Sequence, residues 1–408
     1  MPTTINAGDT AWVLVCCSLV LLMTPALGFF YGGMVRRKNV LSTLTLSYTF
    51  MALIGVQWLL YGYSLSFGED IAGIIGGLNL VGFMNVGAAP SPNYGPTIPQ
   101  TVFASFQMMF AVITPALITG AFVERVKFKS FLIFSLVWAT LVYDPLCHWV
   151  WAKGGWLSEL GVLDFAGGTV VHIAAGFSAL AFALVIGPRK GYGAIPMEPS
   201  NIPYTVLGAG LLWVGWFGFN AGSALTAGGV AGNALLATNT SGAAAGLVWM
   251  LLSWLDGRPS TLGLATGMVV GLAAVTPASG YVTPMAALVI GAVAAPLSYY
   301  TIRFRQNQGW DESLDVWACH GMASTWGMLA AGLFATKAVN EAGGNGLFYG
   351  NPGQVGVQAL AIVVTMVYAF GITYALAKAL DWSLGLRVDT MEEEVGLDIS
   401  AHGERAYS

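Results

Sequence analysis

The sequence predicts an all-α integral membrane protein with eleven transmembrane helices: two inverted five-helix halves plus one C-terminal helix. Three observations carry that prediction. Of the 408 residues, 56% are hydrophobic and 9% charged, whereas soluble domains carry about 25% charged residues. Apolar runs long enough to cross about 30 Å of hydrocarbon recur from end to end. A faint likeness also relates the two halves. The net charge of −4 leaves no basic face for nucleic acid.

The runs fall near residues 10–31, 41–64, 101–122, 130–149, 168–186, 202–219, 232–254, 262–281, 284–302, 316–335 and 355–380. The first lacks the positive leading segment of a secretory signal, so it reads as a retained span. The 53 glycines let neighbouring helix backbones approach closely. Cys16, Cys17, Cys147 and Cys319 show neither metal-site nor disulfide-framework spacing and read as small buried hydrophobes. Residues 1–384 form the helical domain. The polar, acidic stretch 385–408 forms a tail that is either a solvated end or a regulatory segment.

Charge sets the orientation. With the N-terminus outside, the inner connections hold Arg36, Arg37, Lys38, Arg125, Lys127, Lys129, Arg189, Lys190, Arg258, Arg303 and Arg305, while Lys153 and Lys337 fall outside. Positive charge collects on the cytoplasmic side of membrane proteins, so the N-terminus is expected outside and the C-terminus in the cytoplasm. The connection 67–100, rich in glycine and proline, is expected to pack over the outer face.

The internal likeness pairs GFFYGGM (28–34) with GWFGFNAGS (215–223), and Asp164 before His172 with Asp315 before His320. An odd number of helices per half forces the second half to be inverted. His172 and His320 lie well inside apolar spans, while His148 sits near an outer helix end. A buried imidazole is costly unless it is neutral and hydrogen-bonded. Each has small residues nearby, and matching positions in an inverted repeat meet near mid-membrane. The two rings are therefore expected to pair, one donating and one accepting. Asp164 and Asp315 are expected to cap the starts of the fifth and tenth helices, Asp164 also adding negative potential near the outer mouth.

Phe103, Phe106, Gln107 and Phe110 share a helix face, Phe219 and Ser223 end the sixth span, and Trp149 and Trp151 follow the fourth. Aromatic rings at an outer helix end serve as interfacial anchors or as a vestibule for an ammonium-like cation.

Together GFFYGGMVRRKN, DFAGGTVVHIAAG, GWFGFNAGS, the D-x-x-x-x-H-G of residues 315–321, and GLRV followed by EEEVGLDISAHGERAY resemble the ammonium transporter family, Amt/MEP/Rh, and within it the Amt branch. The motifs run in order over nearly the whole chain. The resemblance implies a homotrimer of the cytoplasmic (inner) membrane with a pore in each subunit. It implies His172 and His320 as twin pore histidines, Asp164 as a supporting carboxylate, and Phe110, Trp151, Phe219 and Ser223 as the recruitment site. Phe110 and Phe219 would form the gate. The segment between Trp151 and Asp164 is a residue longer than the family pattern, which leaves Trp149 as the alternative. The tail resembles the segment that meets cytoplasmic PII-type signalling proteins. No phosphate loop, activated nucleophile or metal cluster is evident, so no enzymatic function, cofactor or metal is expected. A rival, ion-coupled transporter would need a carboxylate deep in a span, and none is identified at mid-depth. A metalloenzyme using both histidines would lack a third ligand.

Overall fold

The structure, a computed structural model, describes residues 4–91 and 93–407; residues 1–3, 92 and 408 of the expected helical domain and tail lie outside the described residues. Eleven helices form the body. They are α1 (Ala7–Met34), α2 (Arg37–Phe67), α3 (Gln100–Ala121), α4 (residues 128–151), α5 (Gly168–Ile186), α6 (Ile202–Gly222), α7 (Gly229–Leu255), α8 (Thr261–Val275), α9 (Pro284–Asn307), α10 (residues 317–334) and α11 (Gly353–Ser383). Among the described residues nine helices are long and apolar enough to cross a bilayer. The expected span 262–281 is shorter than drawn: α8 ends at Val275, and the chain then turns through Thr276–Tyr281.

Helices suit this environment because every backbone N–H and C=O is satisfied within its own segment. The apolar side chains left uncovered, among them Leu14, Leu21, Leu60, Leu251, Val363 and Val367, project from helix surfaces, as suits a protein whose surroundings are apolar. Glycines set the internal spacing. A Cβ on Gly208 would strike the backbone of Phe30, and one on Gly33 would strike Thr205, so α1 and α6 pack backbone to backbone.

Five of the helices contain a π-helical turn: Trp58–Gly62, Ala139–Tyr143, Gly168–Ile173, Phe217–Ala221 and Trp317–Met322. Such turns insert a residue into the i→i+4 ladder and are common at functional sites. His172, Phe219 and His320 all lie in one.

The 67–100 connection packs over its end of the bundle through a two-residue ribbon, β1 (Asp70–Ile71) antiparallel to β2 (Ile75–Gly76). Asp70 meets His148 Nε2 at 2.9 Å, and His148 Nδ1 lies 2.9 Å from the Ser66 carbonyl. Asp144, one turn earlier in α4, is a carboxyl that the reading of the spans did not single out. It is fully buried, accepting from Gln57 Nε2 at 2.8 Å and Ser66 Oγ at 3.3 Å. Both partners are neutral.

The tail is ordered along the opposite end. Val388 N–H donates to the Arg125 carbonyl (3.0 Å) and Lys127 N–H to that of Leu386 (2.8 Å). Two short helices follow, α12 (Thr390–Val395) and α13 (Leu397–His402), the first opened by an Asp389–Glu392 capping box. Asp398 Oδ1 accepts Ser42 N–H at 2.8 Å, so the tail caps the start of α2. Beneath it lies a buried ionic network. Glu124 accepts from Arg36, Asn39 and Arg189, and Arg189 forks onto Asp311. Burial alone would raise the carboxyls of Glu124 and Asp311, yet the guanidinium groups hold both below the usual carboxylate value.

Candidate functional site

The site is built from the π turns. In α5 and α10 the widened turn carries a histidine toward the other helix, and no side chain separates the backbones one turn further on. A Cβ added to Gly176 would overlap the backbone of Gly321. The rings of His172 and His320 lie nearly parallel at 18°, centroids 5.2 Å apart, with Nδ1 to Nδ1 at 3.2 Å. Both are buried, 2% and 3% exposed. One Nδ1 must donate and the other accept, so the two tautomers are opposite. Trp216 stacks beside His172 at 5.5 Å, its Nε1 held by Thr276 Oγ1 at 2.9 Å. His172 Nε2 is buried without a hydrogen-bond partner.

Phe219 stands 5.9 Å from His172 and 4.3 Å from Phe110, and the Phe110 ring meets Trp151 edge-on at 5.8 Å. Phe110, Trp151 and Ser223 border a cavity of about 220 Å³, together with Gln107, Tyr94 and Phe165. Ser223 Oγ donates to the Phe219 carbonyl at 2.8 Å, which leaves its lone pairs to accept. Gln107 Oε1 is buried without a partner. Trp149 faces elsewhere: its Nε1 donates to the Ile74 carbonyl at 2.7 Å, and its ring packs on Trp156 and Tyr368. Tyr94 and Phe165 carried no sequence signal, because they come from loops.

Asp164 caps α5 with both oxygens. Oδ1 accepts from Gly167 N–H (2.8 Å) and Gly168 N–H (2.6 Å); Oδ2 accepts from Thr169 N–H (2.7 Å) and from the Thr169 hydroxyl. Its carbonyl accepts from Trp151 Nε1 at 2.9 Å. One residue thus fixes the vestibule ring and the histidine helix together.

The expected counterpart, Asp315, does not cap α10. Glu312 does, accepting from Val316 and Trp317 N–H, and it precedes His320 by the eight residues that separate Asp164 from His172. Asp315 corresponds instead to Gly167, three residues after each cap, where φ is positive in both, +59° and +108°. Its carboxylate pairs with Arg305 at 2.8 Å.

A profile of the Ammonium Transporter Family matches residues 11–407. The chain belongs to the ammonium transporter family. It is 49% identical to ammonium transporter Amt1 of Archaeoglobus fulgidus, over 98% of this transporter and 99% of that one. It is 47% identical to the ammonium transporter of Bacillus subtilis, over 98% of each. The structure superposes on that of Mep2 from Candida albicans with a TM-score of 0.90 at 33% identity, covering 95% of the transporter and 88% of Mep2. The fold is therefore the family's eleven-helix fold, and the transporter is not an enzyme.

Proposed function

We propose that this protein transports ammonium by binding the ion in the aromatic vestibule, removing its proton on entry, and conducting ammonia past His172 and His320. Ammonium as the cargo follows from family membership. The observation that carries the mechanism is the buried imidazole pair, Nδ1 to Nδ1 at 3.2 Å, directly behind the Phe110–Phe219 rings.

Magnitudes separate the two stages. Trp151 and Phe110 offer ring faces at about 1–2 kcal/mol each for a cation, and Ser223 and Gln107 offer oxygen acceptors. That is enough to concentrate ammonium at the mouth. Beyond the Phe110–Phe219 gate, an intact ion loses its water at a cost of several kcal/mol, and two neutral imidazoles cannot offset it. Shedding a proton removes the charge and most of that cost. Potassium has no proton to shed and meets the whole barrier. Asp164 acts as the supporting carboxylate, its side chain holding the start of α5 and adding negative potential near the entrance, while its main-chain carbonyl holds Trp151.

The assembled form in this reading is a homotrimer of the cytoplasmic membrane, with the N-terminus outside and the C-terminus in the cytoplasm. The excess of Arg and Lys at the tail end supports that orientation. Residues 385–408 form a regulatory segment apart from the 1–384 helical domain, offering a docking surface to a PII-type protein.

Proteoliposomes test the mechanism. Ammonium flux and the accompanying current are measured for wild type, His172→Ala and His320→Ala, with potassium as control. Loss of current with flux retained assigns the proton's route to the histidines. Wild-type flux without current returns the proton outside. Unchanged flux and current in the double variant, or potassium current in the wild type, overturn the reading.

A further inference from the structure

On the tail's end of the molecule, between the start of α2 and residues 398–407 of the tail, lies a second cavity of about 260 Å³. Arg37, Lys38 and Arg405 surround it, with Tyr407 and Asp398. The Arg37 guanidinium stacks on the Tyr407 ring at 4.6 Å, and Asn201 Nδ2 donates to the Tyr407 hydroxyl at 3.2 Å. Lys38 Nζ spends two donors on the Glu393 and Glu394 carbonyls, at 2.8 and 2.6 Å. No acid pairs with Arg37 or Arg405 among the described residues. The one carboxylate in the lining, Asp398, accepts Ser42 N–H at its Oδ1, while its Oδ2 is buried without a hydrogen-bond partner among the described residues.

We propose that this cavity binds a phosphate group, presented either by an acidic lipid headgroup or by a soluble phosphate compound, and that the bound anion clamps the tail to the start of α2. Two guanidinium groups without an acidic partner, one of them held in place by the Tyr407 ring, offer N–H donors suited to phosphate oxygens. The volume is close to the lower end for small-molecule sites, about 300 Å³. Arg37 opens α2 three residues after α1 ends at Met34, and basic pockets beside transmembrane helices bind lipid headgroups. Because one wall is the start of α2 and the other the tail, occupancy and tail docking are coupled.

The test uses the full-length protein and hydrogen exchange of tail residues 396–407. One arm adds inorganic phosphate to protein in nanodiscs of phosphatidylcholine; the other adds phosphatidylglycerol to the nanodisc and no phosphate. At about ten times the dissociation constant, a ligand that binds only the docked tail slows opening-limited exchange about tenfold. Slowing in either arm that disappears in Arg37→Gln/Arg405→Gln supports the proposal, and the responding arm identifies the source. Arg405→Gln alone, near the chain end, serves if the double variant does not fold. No slowing in either arm, equal slowing in the variants, or the same loss in Lys337→Gln at the opposite end of the molecule overturns it.

Discussion

Single carboxylates do different work in this protein according to what surrounds them. Asp164 satisfies three N–H groups and a hydroxyl at the start of α5. Asp164→Ala should cost about 2 kcal/mol or more, the scale of charged hydrogen bonds and caps, and abolish flux by loosening the start of α5 that carries His172. Asp164→Asn, which keeps an acceptor, should retain more of the thermal stability in detergent. Glu312 holds the equivalent place on α10, but burial pushes its carboxyl up to about 7, with Arg305 opposing and Asp315 adding to the rise. The native state therefore holds a proton that the unfolded chain releases, so stability falls as pH climbs from the ordinary carboxylate value through about 7. Melting temperature measured from pH 5 to 8 should drop across that window by several degrees more in wild type than in Glu312→Gln.

At the level of elements, α5 and α10 are held together by glycine. Gly176→Val would push its side chain into the Gly321 backbone, a misfit of about 1–3 kcal/mol placed one turn from the histidines. Ammonium flux should fall sharply while the protein still assembles in the membrane, read by liposome assay and size-exclusion profile. The spans and the pairing of His172 with His320 were legible in the sequence because apolar length and a buried imidazole each have a large free-energy signature. The π turns were not, since a one-residue insertion in a uniformly apolar helix barely alters its periodicity. Asp315 drew attention through its matching residue type, while Glu312 had the matching spacing. The partners of Asp144, Gln57 and Ser66, come from distant segments and are not readable from its neighbours in sequence. The vestibule rings from helices could be read, but Tyr94 and Phe165 depend on where loops fold.

Across the whole molecule, one end is bound into a unit by Glu124, Arg36, Arg189 and Asp311, which draw together the connections after α1, α3, α5 and α9. Removing one member of a buried ion network costs about 3–5 kcal/mol because the partner is left uncompensated. Glu124→Gln should accordingly free the tail, seen as faster tryptic cleavage at Arg387 and Arg405. The cap that Asp398 places on Ser42 has a consequence in time. They are 356 residues apart, and at roughly 5–20 residues per second of synthesis the first must wait about 20–70 s for the second. Until codon 398 is read, Ser42 N–H at the start of α2 lacks this acceptor. A nascent chain stalled before residue 398 would expose the start of α2 to protease, whereas a released one would shield it.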